Sequence, residues 1–276
     1  MAFVADPGIK VITAGASKTA PGLPQPDKIK HHWDFTDLSQ LSQDVAGLIP
    51  VDAHGQSIAR VNDKGFDNEP LLQSVVNRQP TLDLSIHNLA VADFTASVMI
   101  AAAIPTGLGS DFWGGVAFFK NLGGAVELQT VYRYDTLLSD RLTVLSQPDA
   151  PAGAATASFQ SHRISGDQEN VGPDSGFESV NVFLGTIDVW DSTPFLSMIG
   201  SYRVLPRTDT NANDPPANGA DVFVGGETDA SPPDFPFGGS IGEILIYDGT
   251  TLFSALELTA IKSYGTFKYD TLVWAG

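Results

Sequence analysis

The amino-acid sequence predicts an all-β sandwich. Its middle and C-terminal parts consist of many short runs of apolar, aromatic and β-branched residues. Gly, Asp, Asn and Pro separate these runs, the punctuation expected between strands. The length of 276 residues exceeds only slightly the roughly 200–250 residues that a single all-β domain reaches. A chain of this size can bury a sizeable core without disulfides, and it contains no cysteine. Disulfide frameworks, thiolate metal sites and cysteine nucleophiles are therefore excluded.

Residues 1–32 read as an extended N-terminal arm. They contain Pro7, Pro21, Pro24 and Pro26 with several Gly, Ser and Thr, and no sustained period. Lys10, Lys18, Lys28 and Lys30 stand against Asp6 and Asp27, a balance of +2, so the rest of the chain carries −19 of the formal −17. So acidic a body argues against nucleic acid as a partner, because phosphate binding needs clustered Lys and Arg. The first residues lack the basic start and apolar stretch of a secretory signal, and the longest apolar run, 98–104, is too short to cross a bilayer. The chain is therefore expected to be soluble, without membrane insertion.

The body is expected to span 33–276, opening at His31-His32-Trp33-Asp34-Phe35 and continuing through a polar, turn-rich stretch to about Pro80. Strand runs are then expected at 94–104, 116–119, 126–134, 142–145, 158–164, 179–189, 196–204, 221–224 and 241–247. In the last of these, Ile241, Glu243, Leu245 and Tyr247 alternate with Gly242, Ile244, Ile246 and Asp248. Apolar residues on both faces fit a strand buried between layers. One helix is expected near the end, with Ser254 as N-cap, Glu257 at the capping-box spacing, and Leu258, Ile261, Tyr264 and Phe267 on one face. A final strand would cover Thr271–Trp274.

Two stretches at opposite ends of the body carry a family resemblance. The first is Trp33-Asp34-Phe35-Thr36-Asp37-Leu38-Ser39, then Val61-Asn62-Asp63-Lys64-Gly65, then Asn77-Arg78-Gln79-Pro80-Thr81-Leu82. The second is Val222–Gly226, then Phe237-Gly238-Gly239-Ser240-Ile241-Gly242-Glu243-Ile244-Leu245-Ile246-Tyr247-Asp248 and the helix. Together they resemble the bacterial and phage branch of the laminin-G/concanavalin-A-like superfamily. The chain departs from that pattern at Val61, where an aromatic is common, and at Gln79 between Arg78 and Pro80. The resemblance implies a jelly-roll sandwich and leaves function to the sites.

No catalytic motif is found. Retaining glucanases of this fold class need two carboxylates about 5 Å apart on one strand, and no Glu-x-Asp-x-Glu triplet occurs. Asp188-Val189-Trp190-Asp191 and Glu227-Thr228-Asp229 are the nearest approaches. His31 and His32, adjacent on an extended segment, point to opposite sides and do not make a natural ligand pair. No enzyme activity and no cofactor are expected. Calcium is possible in principle at Asp209 and Asp214, in the acidic loop of 206–240, where no Lys or Arg occurs beyond Arg207. Trp113, and Trp190 beside Asp191, offer aromatic faces on which a sugar could stack, with core packing as the alternative role.

The resemblance, the arm and the acidic body lead to the expectation of a tailed-phage virion protein, made in the host cytoplasm: a capsid decoration anchored by its arm. Phe3, Val4, Ile9, Val11, Ile12, Leu23 and Ile29 would bind other virion proteins, and a homo-oligomer is expected. The alternative is a carbohydrate-binding adhesin or tail-fibre module that recognises host-surface glycans.

Overall fold

The computed structural model describes residues 22–85, 90–95, 97–104, 112–121, 129–135, 140–148, 154–163, 177–183, 187–188, 196–204, 220–226, 236–248 and 253–269. These residues form two antiparallel sheets and one helix, so the protein is all-β with a C-terminal helical cap.

The strands are β1 (Ile29–Asp34), β2 (Leu41–Ser42), β3 (Arg60–Val61), β4 (Leu71–Leu72), β5 (Thr81–Asp83), β6 (Val91–Asp93), β7 (Met99–Ile104) and β8 (Phe112–Asn121). They continue as β9 (Gln129–Asp135), β10 (Asp140–Pro148), β11 (Ala154–Arg163), β12 (Phe177–Phe183), β13 (Ile187–Asp188), β14 (Leu196–Val204), β15 (Ala220–Val224) and β16 (Gly239–Asp248). The helix α1 is Ala255–Tyr269. One sheet runs β12-β14-β8-β16-β6-β5, with β1 also paired to β16. The other runs β13-β11-β10-β9-β15-β7-β4-β3-β2.

The two sheets share one core. Ala117, Phe119, Ile244 and Ile246 from the first meet Met99, Ala101, Tyr132, Val222 and Val224 from the second, with Trp33, Phe35 and Phe94 completing the cluster. The first sheet also buries its other face. There Val116, Phe118, Leu245 and Tyr247 pack under Leu258, Ile261 and Tyr269 of the helix. The central strand β16 is thus covered on both sides, as its two-faced apolar pattern requires.

Six expectations are corrected. The boundary between arm and body does not lie at 32/33: strand β1 starts at Ile29, and His31, His32 and Trp33 pair with Ile246, Leu245 and Ile244. Ile29 is buried beneath the helix and Leu23 packs against the same cluster, so these two proposed partner-binding residues belong to the body's own core. The run 94–104 is not one strand. Its apolar residues serve two sheets, β6 ending at Asp93 and β7 beginning at Met99. Between them Asp93 accepts hydrogen bonds from the backbone and hydroxyl of Thr95, a turn that drops Phe94 into the core. The run 179–189 likewise divides into β12 and β13, which lie in different sheets. In β16 a register shift between Ile241 and Glu243 breaks the expected alternation. Ile241 therefore joins Ile244 and Ile246 in the inter-sheet core, while Leu245 and Tyr247 face the helix. In α1, Leu258 and Ile261 are buried as expected, but Phe267 is exposed and Tyr269 takes the inward position. The proposed final strand at Thr271–Trp274 lies outside the described residues.

Candidate functional site

The densest group of chemically active side chains lies where β1, β16 and α1 meet. It is built by alternation on β1. On one side of the strand His31 stacks in parallel on Trp33, with ring centres 4.9 Å apart. On the other side His32 and Asp34 face Glu243 of β16. Adjacent histidines therefore do point apart, and both are residues of strand β1.

Asp63 receives the first side. It is buried, and its carboxylate accepts from His31 Nδ1 at 2.9 Å and from the backbone N–H groups of His32 and Gly65 at 2.7 Å and of Glu69 at 3.0 Å. Burial pushes the Asp63 pKa up, but the His31 bond and charge and the backbone donors outweigh it and hold the carboxyl below its usual range. The Asp63-Lys64-Gly65 turn fits only with glycine at its third position. A Cβ on Gly65 would stand 2.4 Å from the Lys30 carbonyl oxygen.

Glu243 receives the second side. It is fully buried and accepts four donors: His32 Nε2 and Tyr264 Oη (2.8 Å) at Oε1, and Lys268 Nζ (3.0 Å) and Tyr269 Oη (3.3 Å) at Oε2. Tyr264 and Lys268 lie one turn apart on α1, and Tyr269, next to Lys268, reaches the same carboxylate. Gly242 makes room for them, since a Cβ there would lie 2.6 Å from the Tyr269 hydroxyl. Asp34 lies alongside. Its Oδ1 accepts from Thr36 N (3.0 Å) and Thr36 Oγ1 (2.7 Å), and its Oδ2 from Lys64 Nζ (3.0 Å) and Lys268 Nζ (2.9 Å). Burial raises the Asp34 pKa, but Lys268, Thr36 and Lys64 reverse this and hold it far below the usual carboxylate range. Burial and the charge of Glu243 push the hydroxyls of Tyr264 and Tyr269 well above the ordinary tyrosine value.

Among the described residues, His32, Asp34 and Glu243 are the group whose ligand atoms converge, within 4.8 Å of one another. The cation position between the two carboxylates is taken by the Lys268 ammonium, which reaches both. A metal ion would have to displace it, so the residues present fit an internal ion-pair hub better than a metal site.

Of the sequence-derived candidates, only Leu23, Ile29 and Trp113 fall among the described residues. Trp113 is in β8, where its backbone pairs with Tyr202 and Asp248. Trp190, Asp191, Asp209, Asp214, Phe3, Val4, Ile9, Val11 and Ile12 lie outside them. Sequence reasoning missed the Asp34–Glu243–Lys268 hub, although a signal existed. A lone carboxylate inside the apolar run Ile241–Tyr247 is a charge that must be buried and paired.

No protein-family model matches the chain, and no curated protein matches it. A solved structure of "NanB plus Optactamide" is similar at 14% identity, with a TM-score of 0.30, over 55% of this chain and 24% of that chain. The match thus spans about a quarter of that protein, and at that score it bears on neither fold nor activity.

Proposed function

We propose that the protein is a non-enzymatic structural component of a virus particle, a jelly-roll body of the laminin-G/concanavalin-A-like kind attached through its N-terminal segment. The observation that carries this reading is the state of the converging carboxylates. Asp34 and Glu243 are taken up by internal donors from β1, the Asp63 turn and α1. Such a cluster serves cohesion; a glycosidase needs one carboxyl free to donate a proton and another facing the substrate.

The attachment segment is residues 1–21, shortened from 1–32 because β1 and its lead-in belong to the body. It retains Phe3, Val4, Ile9, Val11 and Ile12, and Lys10 and Lys18 outnumber Asp6. Apolar residues in a proline-bearing segment suit ordering on a partner surface. The test mixes full-length protein, and protein lacking residues 1–21, with tailed-phage particles stripped of it. Binding by the full chain alone supports the reading. Equal binding overturns it, and retention on a glycan array by both forms would favour the adhesin.

A further inference from the structure

We infer that Asp34 and Lys268 condense to an intramolecular amide, joining the first strand covalently to the C-terminal helix. The inference is independent of the particle reading above. Each group needed for the condensation is in place. The nucleophile is Lys268 Nζ, 2.9 Å from Asp34 Oδ2 and largely withdrawn from water. The base is Glu243, fully buried, with Oε2 3.0 Å from the same nitrogen. Thr36 N and Oγ1 both donate to Asp34 Oδ1, the oxygen that carries negative charge when Cγ becomes tetrahedral. Lys64 Nζ lies 3.0 Å from Oδ2, the oxygen that departs, and is open enough to exchange protons with solvent. An ion pair needs only the ammonium and the carboxylate. Here a base, an oxyanion cradle and an acid surround them at bonding distance.

Lys64 passes a proton to Asp34 Oδ2, Glu243 takes a proton from the Lys268 ammonium, and the freed electron pair forms the Nζ–Cγ bond. Oδ1 holds the charge under the Thr36 donors. The nitrogen gives up a second proton as the Cγ–Oδ2 bond breaks. The two protons lost by nitrogen equal the two gained by Oδ2, relayed through Glu243 and Lys64, and Oδ2 leaves as water. Ammonium plus carboxylate yields amide plus water, with no oxidant or cofactor. Fixed neighbours in such geometry reach effective molarities of about 10⁵–10⁸ M, which lowers the barrier to the condensation.

Intact mass spectrometry of the full chain, corrected for any loss of Met1, is expected to read the sequence mass less one water. Protease digestion should release a branched peptide joining Lys268 to Asp34. A cyclic imide at Asp248-Gly249 has the same mass deficit, and the branched peptide separates the two. Lys268→Arg keeps the cation and should restore the full mass. A wild-type mass equal to that of the sequence, or a deficit that persists in Lys268→Arg, overturns the inference. The branched peptide is read in the unaltered chain, so the test survives a variant that folds poorly.

Discussion

Removing residues 1–21 and removing residues 1–32 should have opposite consequences, although the two chains differ by only eleven residues. The shorter deletion spares every contact described above. The longer one removes most of β1. Ile29 leaves the cluster beneath α1, a loss of roughly 1.5–3 kcal/mol for a buried aliphatic side chain. Asp63 keeps its place in the interior but loses the His31 imidazole and the His32 N–H, and breaking a buried pair from one side costs about 3–5 kcal/mol. The backbone donors of Lys64, Phe66 and Asp67 lose the carbonyls of His32, Ile29 and Lys30, at roughly 0.5–1.5 kcal/mol each. The sum is on the order of 6–12 kcal/mol, against a total stability of about 5–15 kcal/mol for a typical domain. Urea unfolding followed by circular dichroism and tryptophan fluorescence measures the difference. The chain lacking 1–21 should unfold at the full-length midpoint, and the chain lacking 1–32 should be unfolded or nearly so without denaturant. Equal midpoints for both deletions would refute the placement of β1 in the fold.

Three further outcomes are expected. Gly65→Ala should destabilise the protein by about 1–3 kcal/mol or more in a thermal melt, because the new methyl meets the Lys30 carbonyl and the His31 Cα, neither of which can rotate away. Ser254→Ala should cost about 1 kcal/mol, since the Ser254 hydroxyl and the Glu257 carboxylate close the helix start reciprocally. Acid should weaken the fold through Asp63. A carboxyl held below its ordinary value of about 4 contributes stability that is present above that value and lost as pH falls through its folded pKa. The melting temperature should therefore drop on acidification below about pH 4, and Asp63→Asn should flatten that drop; an unchanged slope would remove Asp63 from the account.

The strands were legible where hydrophobicity was local. The run at 196–204 is β14 to the residue, and the runs at 221–224 and 241–247 lie inside β15 and β16. The capping box at Ser254 was also legible, because both partners lie within one helical turn. What could not be read was the assignment of a run to a sheet. Asp93-Phe94-Thr95 looks like the middle of a strand until the Asp93 side chain takes the Thr95 donors and ends the ladder. The start of β1 was equally hidden. Lys28-Ile29-Lys30-His31 carries three potentially charged residues in four and reads as solvated. Lys30 and His31 are buried only because Asp67, Asp248 and Asp63 arrive from distant parts of the chain.

The hub shows why a sandwich would place charge in its interior at all. Strand β1 interrupts its register against β16 between Ile29 and His31, and β16 interrupts its own register against β8 between Ile241 and Glu243. A slip of one residue exchanges the two faces of a strand. A slip in β1 would carry His31 and Trp33 toward the helix and His32 and Asp34 into the apolar inter-sheet core. That arrangement leaves Asp63 without its imidazole, strands Glu243 and Lys268, and buries an unpaired Asp34 carboxylate. An apolar strand of the same length would carry no such penalty against the wrong pairing. The charges of β1 therefore contribute to register as well as to cohesion, and the same geometry that enforces the register brings the Lys268 amine to the Asp34 carboxyl.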